Sequence, residues 1–433
     1  MAQPARRARR KTQGAGLLLS LAAAAAGHAC ANVGEPPGGP PDTAPPQVVA
    51  VRPESGAVVP DWKGDAVIQF DEVIDEMAGG GGTGAVTGIG KQIVLSPVAG
   101  DVKVSWHRSA IHVKPAEGWK PGRVYRLQLL PGIADLRRNV LKTGRTVIFS
   151  TGPALPSTTL AGTVLQWVEQ RLLVGGAIRA VPAGDTALAY LALTDSGGRF
   201  RLDAVPSGRY VVYAVQDQNG NRRLDRREAY DSAPVTLDTT ATMVLWTFVH
   251  DSVGPRPRTA EPVDSLTFRV TFNQPIDPAT IPDTAHLALL ALPDSTPVPV
   301  AAVLTPAAYD SLAARERAAL DSARRAADTS HAARPDTGQR ADTTRRPTTP
   351  RPPGAAPTAP ADTTWRILLR RRPVPTDKLV VRTVRPLAPA SRYFVRVRGV
   401  RNLNGAAADG GIVLTTPKPV PRDTTKTPPP PKP

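Results

Sequence analysis

The strongest constraint on how this chain can fold is an internal repeat. Ile111, Val113, Trp119, Pro121, Tyr125, Leu127 and Leu129 recur as Leu379, Val381, Leu387, Pro389, Tyr393, Val395 and Val397, at a constant offset of 268. Upstream, Phe70, Ile74 and Asp75 of FDEVID recur as Phe272, Ile276 and Asp277 of FNQPID, at an offset of 202. Within each copy the apolar residues fall two apart, the period of a strand with one buried face. The chain therefore carries two copies of one β unit, and the offsets differ by 66, the net insertion in the second copy.

Composition places that insertion at about 306–364. Residues 306–330 read as one polar helix, with only Tyr309, Leu312 and Leu320 for an apolar stripe. Such a stripe fits either a solvated excursion or a docking helix. From His331 to about Thr364 the chain is a tract rich in Thr, Pro, Arg and Asp, without core-forming residues, and reads as disordered.

From Val48 to Pro153 short alternating runs (66–70, 93–96, 102–106, 111–114, 124–130, 146–150) are separated by Pro/Gly/Asp turns, the spacing of a β-sandwich. The glycine-rich stretch 79–91 is not a phosphate loop. Ending the motif on Gly90-Lys91 puts Ala85 at the first glycine and Gln92 at the Ser/Thr, so it reads as an inter-strand loop. Between the repeats, residues 157–250 form another β unit: Asp195-Ser-Gly-Gly198 makes a tight turn, and Phe200, Leu202, Tyr210, Val212 and Ala214 alternate as one buried face.

The repeated unit resembles the bacterial Ig-like domain of the S-layer SbsA type, through Asp42-Thr-Ala-Pro-Pro46, Phe70 to Asp75, Pro121-Gly-Arg-Val-Tyr125 and Phe149-Ser-Thr-Gly-Pro153. Asp135-Leu-Arg-Arg-Asn139 departs by losing the turn glycine that the second copy keeps in Asn402-Leu-Asn-Gly405. Val73 also replaces the proline retained as Pro275. The middle unit resembles the carboxypeptidase regulatory-like (CNA-B/transthyretin-like) sandwiches, in DSGGRF and PSGRYVV. That resemblance implies an accessory module without catalytic residues.

Residues 1–29 read as an export signal, with a basic start, an apolar run 16–27 and small residues after it. These residues hold five basic side chains and no acid, leaving +12 of the formal +17 on the remainder. No basic stripe interleaves with stacking aromatics, which argues against a nucleic-acid partner. The single cysteine, Cys30, stands where the signal ends, in Gly27-His-Ala-Cys30. The position resembles a lipoprotein lipobox, implying that Cys30 carries the lipid and anchors the protein to a membrane. Gly27 replaces the usual aliphatic residue, and ordinary cleavage with secretion is the alternative. Pro- and Gly-rich residues 30–46 then form a tether, and 418–433 a Pro-rich tail.

One stretch has metal-ligand spacing. In DQNGNRRLDRRE, Asp217, Asn219, Asn221, Asp225 and Glu228 occupy positions 1, 3, 5, 9 and 12, as in a calcium loop. Against calcium, Arg222 stands at the sixth position where an EF-hand needs glycine, Gly220 is two early, and four arginines offset three carboxylates. The alternative is an Asn/Gly turn with Leu224 plugging the core. Bound calcium would be structural. The histidines and remaining acids form no local catalytic motif.

The sequence thus predicts an all-β protein of tandem Ig-like sandwiches: 47–153, 154–250 and 251–417, the last with the partly helical, disordered insertion. The expected role is a non-catalytic envelope scaffold or binding module. The alternative is an accessory protein or enzyme subunit acting on envelope polysaccharide, favoured if Trp62, Trp106, Trp119, Trp167, Trp246 and Trp365 form an exposed groove.

Overall fold

The computed structural model describes residues 42–77, 88–331 and 364–418. Cys30, the signal, residues 30–41 of the tether, the tail beyond Lys418, most of the glycine-rich stretch and residues 332–363 of the tract read as disordered lie outside these residues.

The first unit contains β1 (Val48–Arg52), β2 (Ala66–Phe70), β3 (Ile93–Ser96), β4 (Val102–His107), β5 (Ala110–Pro115), β6 (Val124–Leu129) and β7 (Arg145–Ser150). They pair as two sheets, β1-β2-β5-β4 and β3-β6-β7. Alternation sends Ile68, Phe70, Ile111, Val113, Tyr125, Leu127, Leu129 and Phe149 into the core between them. Full burial of each such side chain stabilises by about 1.5–3 kcal/mol. The Tyr125 hydroxyl accepts the Lys120 N–H at 2.8 Å, so the phenol is buried without an orphaned oxygen.

The second unit contains β8 (Thr159–Gln166), β9 (Arg171–Leu172), β10 (Ala177–Pro182), β11 (Tyr190–Leu193), β12 (Arg199–Asp203), β13 (Gly208–Val215), β14 (Ala229–Leu237) and β15 (Thr240–Val249). Their order is β11-β10-β13-β14-β15-β8-β12, with β9 on β8. At the expected turn, Gly198 donates to the Asp195 carbonyl at 2.9 Å, with a φ of 66° that glycine adopts freely. Phe200, Leu202, Tyr210, Val212 and Ala214 are all buried.

The third unit comprises β16 (Pro257–Pro262), β17 (Thr267–Ile276), β18 (Leu287–Ala291), β19 (Thr296–Val298), β20 (Val300–Leu304), α1 (Pro306–His331), α2 (Thr364–Arg370), β21 (Thr376–Thr383), β22 (Arg392–Arg401) and β23 (Ala407–Thr415). Its sheets run β16-β17-β21-β20 and β19-β18-β22-β23, the strand order of the first unit with β19 added. The repeat is therefore one of topology. Phe272, Ile276, Leu379, Val381, Tyr393, Val395 and Val397 fill the third core as their counterparts fill the first. The Tyr393 hydroxyl again accepts an N–H five residues upstream, from Ala388 at 2.8 Å.

The insertion leaves the tip of the β20–β21 hairpin. In the first copy the matching β4–β5 hairpin closes through Arg108 and Ser109 alone. The start of α1 docks: Tyr309, Leu312 and Ala313 are half-buried and Glu316 accepts from Arg382 at 2.7 Å. Leu320 is 64% exposed, so that docking is confined to the first turns. Two local features differ from the sequence reading. Gly88–Gln92 is a 3-10 turn with Ile89 buried, and Thr364–Arg370 is helical, too short to show a helical period. Among the described residues no helix is long and apolar enough to cross a membrane.

The turn that lost its glycine keeps its geometry. The Asp135 carboxylate accepts the Arg137 and Asn139 N–H groups, each at 2.8 Å. The Asn402 side chain accepts those of Asn404 and Ala406 at 3.0 and 2.9 Å. Arg138 takes a φ of 70° where Gly405 takes 82°. A side chain in that region costs roughly 1–2 kcal/mol, partly offset by the extra unfolded-state entropy of glycine. Arg138→Gly is expected to stabilise the protein by about 0.5–1 kcal/mol and Arg138→Val to destabilise it, as read by urea unfolding.

Candidate functional site

Residues 217–228 join β13 to β14, and the Gln216 N–H closes the base on the Ala229 carbonyl at 2.8 Å. The structure brings the five singled-out side chains into one loop. One Asp217 oxygen accepts from the Gly220 and Asn221 N–H groups at 2.8 and 3.2 Å, and the other accepts from Arg222 N–H at 2.8 Å. The Asn219 and Asn221 amides donate to one oxygen of Asp225 at 2.7 and 2.9 Å. Glu228, 5% exposed, accepts from the Gln218 N–H at 3.0 Å and the Asp225 N–H at 3.3 Å.

Two sequence readings of this loop need correction. Arg222 adopts the left-handed conformation, φ 56°, so the sixth position turns without glycine. Leu224 is 38% exposed and plugs no core.

The side chain that does reach away from the loop is Arg222. Its guanidinium donates to the Lys91 and Ile93 carbonyls of the first unit at 2.5 and 2.8 Å. Its own carbonyl accepts from Arg179 at 2.7 Å. Burial lowers the Arg222 pKa while Asp217 opposes the shift. The same joint holds Arg223 on Asp101 at 3.3 Å, and the Leu191 N–H on the Ser96 hydroxyl at 3.0 Å.

The donors suit a hard cation in kind, being carboxylate and amide oxygens. Their aim does not, since the Asn219 and Asn221 nitrogens, not their oxygens, face Asp225. A calcium ion there requires both amides to turn. Among the described residues, the three acids whose oxygens lie within 4.8 Å of one another are Asp42, Glu72 and Asp135. Burial raises the Asp135 pKa, but hydrogen bonds from Asn139 and Arg137 outweigh it and hold the carboxyl below its ordinary value. Burial, and then the charges of Asp135, Asp42 and Asp71, push Glu72 up.

A second joint fixes the third unit. Trp167 is buried and donates its indole N–H to the Pro373 carbonyl at 3.0 Å. The Arg372 guanidinium sits 3.5 Å above the Trp167 ring centre and 5.6 Å from that of Trp246. Such a cation–π contact contributes about 0.5–2 kcal/mol. The other five tryptophans are half-buried, none fully exposed, and Trp119 packs edge-on against Tyr125 and Phe149. Among the described residues the six tryptophans thus present no fully exposed platform for sugar stacking. His107 and His112 meet edge to face at 4.8 Å, and His112 lies 3.7 Å from Asp65.

Residues 42–151 match the bacterial Ig-like domain family. The match covers the first sandwich, and the same strand order extends the Ig-like description to the third. No curated protein matches the sequence. Among solved structures, the N-terminal part of the bacterial S-layer protein SbsC is 13% identical, with 39% of this chain and 25% of that one covered, at a TM-score of 0.21. BcpA, the major pilin subunit of Bacillus cereus, is 9% identical over 47% and 71%, at 0.16. A mutant form of the shaft pilin SpaA of Lactobacillus rhamnosus GG is 10% identical over 42% and 87%, at 0.17. The chain thus spans a quarter of the length of the SbsC fragment.

The two arginines of the first joint should separate in their effects. Arg222→Ala, which orphans two carbonyls, is expected to cost about 1.5–3 kcal/mol in urea unfolding. Arg223→Ala, which removes an exposed ion pair, should cost under about 1 kcal/mol.

Proposed function

We propose that the protein is a non-catalytic lipoprotein of the cell envelope: a stiff scaffold of three sandwiches, held to a membrane through lipid on Cys30 and lifted from it by residues 30–46. The observation that carries this reading is that both joints are fixed by a guanidinium. Arg222 hydrogen-bonds across the first joint and Arg372 packs on tryptophan at the second. A freely jointed string would not hold a partner at a set distance. The middle unit, on its resemblance to the carboxypeptidase regulatory-like sandwiches, serves as the accessory module between two Ig-like ends. Its loop 217–228 braces the joint, and structural calcium held by Asp217, Asn219, Asn221, Asp225 and Glu228 would stiffen it further. The partner on this reading is an envelope protein or polysaccharide.

Expressed from its full gene, the protein should fractionate with membranes, and Cys30→Ser should release it to the soluble fraction. Unchanged membrane association of the variant would refute the anchor. Calcium should raise the melting temperature of the parent but not of Asp217→Ala or Glu228→Ala; an unmoved parent leaves a loop that closes on hydrogen bonds alone.

A further inference from the structure

The repeat pairs a covered face with an open one. In the first unit the outward side of β3 and β6 carries Val94, Ser96, Arg126 and Gln128, against which the middle unit packs. Val94 and Ser96 are buried although Ile93 and Leu95 fill their own core, and the Ser96 hydroxyl accepts the Leu191 N–H of the middle unit. The same register in the third unit places Ala288, Leu290, Phe394 and Arg396 at those positions, on the outward side of β18 and β22. This copy of the face is open: Ala288 and Arg396 are exposed, and Leu290 and Phe394 are half-buried.

The open copy has its own chemistry. Pro297, Leu290, Phe394 and Val413 lie side by side across β19, β18, β22 and β23, an apolar row on the outside of a sheet. The Phe394 ring lies over Gly411, where any Cβ would collide with it. Along β22 the row is flanked by Arg392 on one side and by Arg396 and Arg398 on the other, all exposed. Alternate residues of a strand stand about 6.6 Å apart. No hydrogen bond or ion pair among the described residues engages these three guanidiniums, and Arg396 sits 5.9 Å from the Phe394 ring centre. At the Arg398 end, Asp409 accepts the Gly399 N–H at 2.8 Å and Asp283 lies 2.7 Å from His286 Nδ1. Neither they nor Asp294 of the β18–β19 turn forms an ion pair with the three arginines.

Free guanidiniums beside an apolar row call for carboxylates beside an apolar side chain. A facing strand repeats its side chains at the same spacing of about 6.6 Å, so its acids can meet Arg392 and Arg396 while an apolar residue between them covers Phe394. A bilayer surface suits the face less well, since the apolar side chains are recessed and the arginines stand out. A second copy is disfavoured by charge: the chain carries a formal +17, and a self-complementary contact would set arginine against arginine.

We propose that this face of β18, β22 and β23 docks the acidic strand face of a partner β-sandwich protein, much as the first unit packs on the middle one. The proposal rests on the scaffold reading for where the partner lives but not for the contact itself, which is measured in solution, where an anchor on Cys30 plays no part.

The test is fluorescence anisotropy of a labelled, disulfide-closed β-hairpin peptide whose one face alternates Glu, Leu and Glu, titrated with the full chain. It should bind saturably. The same hairpin with Lys for Glu should bind at least about tenfold more weakly, and with Ser for Leu at least about threefold. Arg392→Glu combined with Arg396→Glu should weaken the Glu hairpin at least about tenfold and leave the melting temperature nearly unchanged, because both side chains are exposed and unpaired. Arg315→Glu with Arg317→Glu, exposed on α1, should leave binding within about twofold. If the β22 variant does not fold, Val413→Glu, which sets a carboxylate in the apolar row, should show the same loss. No binding by the parent, equal binding of the Lys hairpin, an equal loss in the α1 variant, or undiminished binding by the folded face variants would each overturn the proposal. So would tighter binding of polygalacturonate or of phosphatidylglycerol vesicles, which would assign the face to a glycan or a lipid.

Discussion

Side chains on a strand alternate, so every residue that fills a sandwich core leaves its neighbours facing outward. The joints of this protein are made from what alternation leaves outside and from the loops between strands. Tyr125, Leu127 and Leu129 point into the first core, while Arg126 and Gln128, between them, face the second unit. The cores set the shape of each sandwich, and the arginines set how one sandwich meets the next. Guanidinium suits that task because its flat array of donors can serve two carbonyls at once or lie on an indole face.

Both copies of the repeat keep the groups that a sandwich corner cannot spare. The tyrosine hydroxyl ties its own chain at Lys120 in one copy and at Ala388 in the other. Asp135 and Asn402 differ by a charge, yet each gathers two backbone N–H groups of the turn that follows. Geometry is held where chemistry drifts, and Arg138 in place of glycine shows the same tolerance.

The period-two pattern made the strands and buried faces legible, because burial on a strand depends on neighbours two residues away. The repeat likewise measured the net length of the insertion, and composition located it and its helix. Loop 217–228 was legible as a turn of oxygen-bearing side chains, but its principal contact was not. Arg222 meets carbonyls about 130 positions upstream, and no local pattern encodes that encounter. Leu224 misled for the opposite reason: an apolar residue in a polar loop suggests burial, yet the loop is anchored by an arginine instead. The helix at Thr364–Arg370 and the perch of Arg372 on Trp167 were hidden by brevity and by the polar tract before them.

The insertion's exit point has an evolutionary corollary. A hairpin tip tolerates extra chain because closing a longer loop adds little entropy cost. Here the returning leg delivers Arg372 and Pro373 to the end of the middle sandwich before it re-enters the sheet. The first copy, closing its hairpin through two residues, has no such limb. Though the two Ig-like units share a plan, they have ceased to be interchangeable parts: exchanging their positions would preserve each core and strip the molecule of its second hinge-pin.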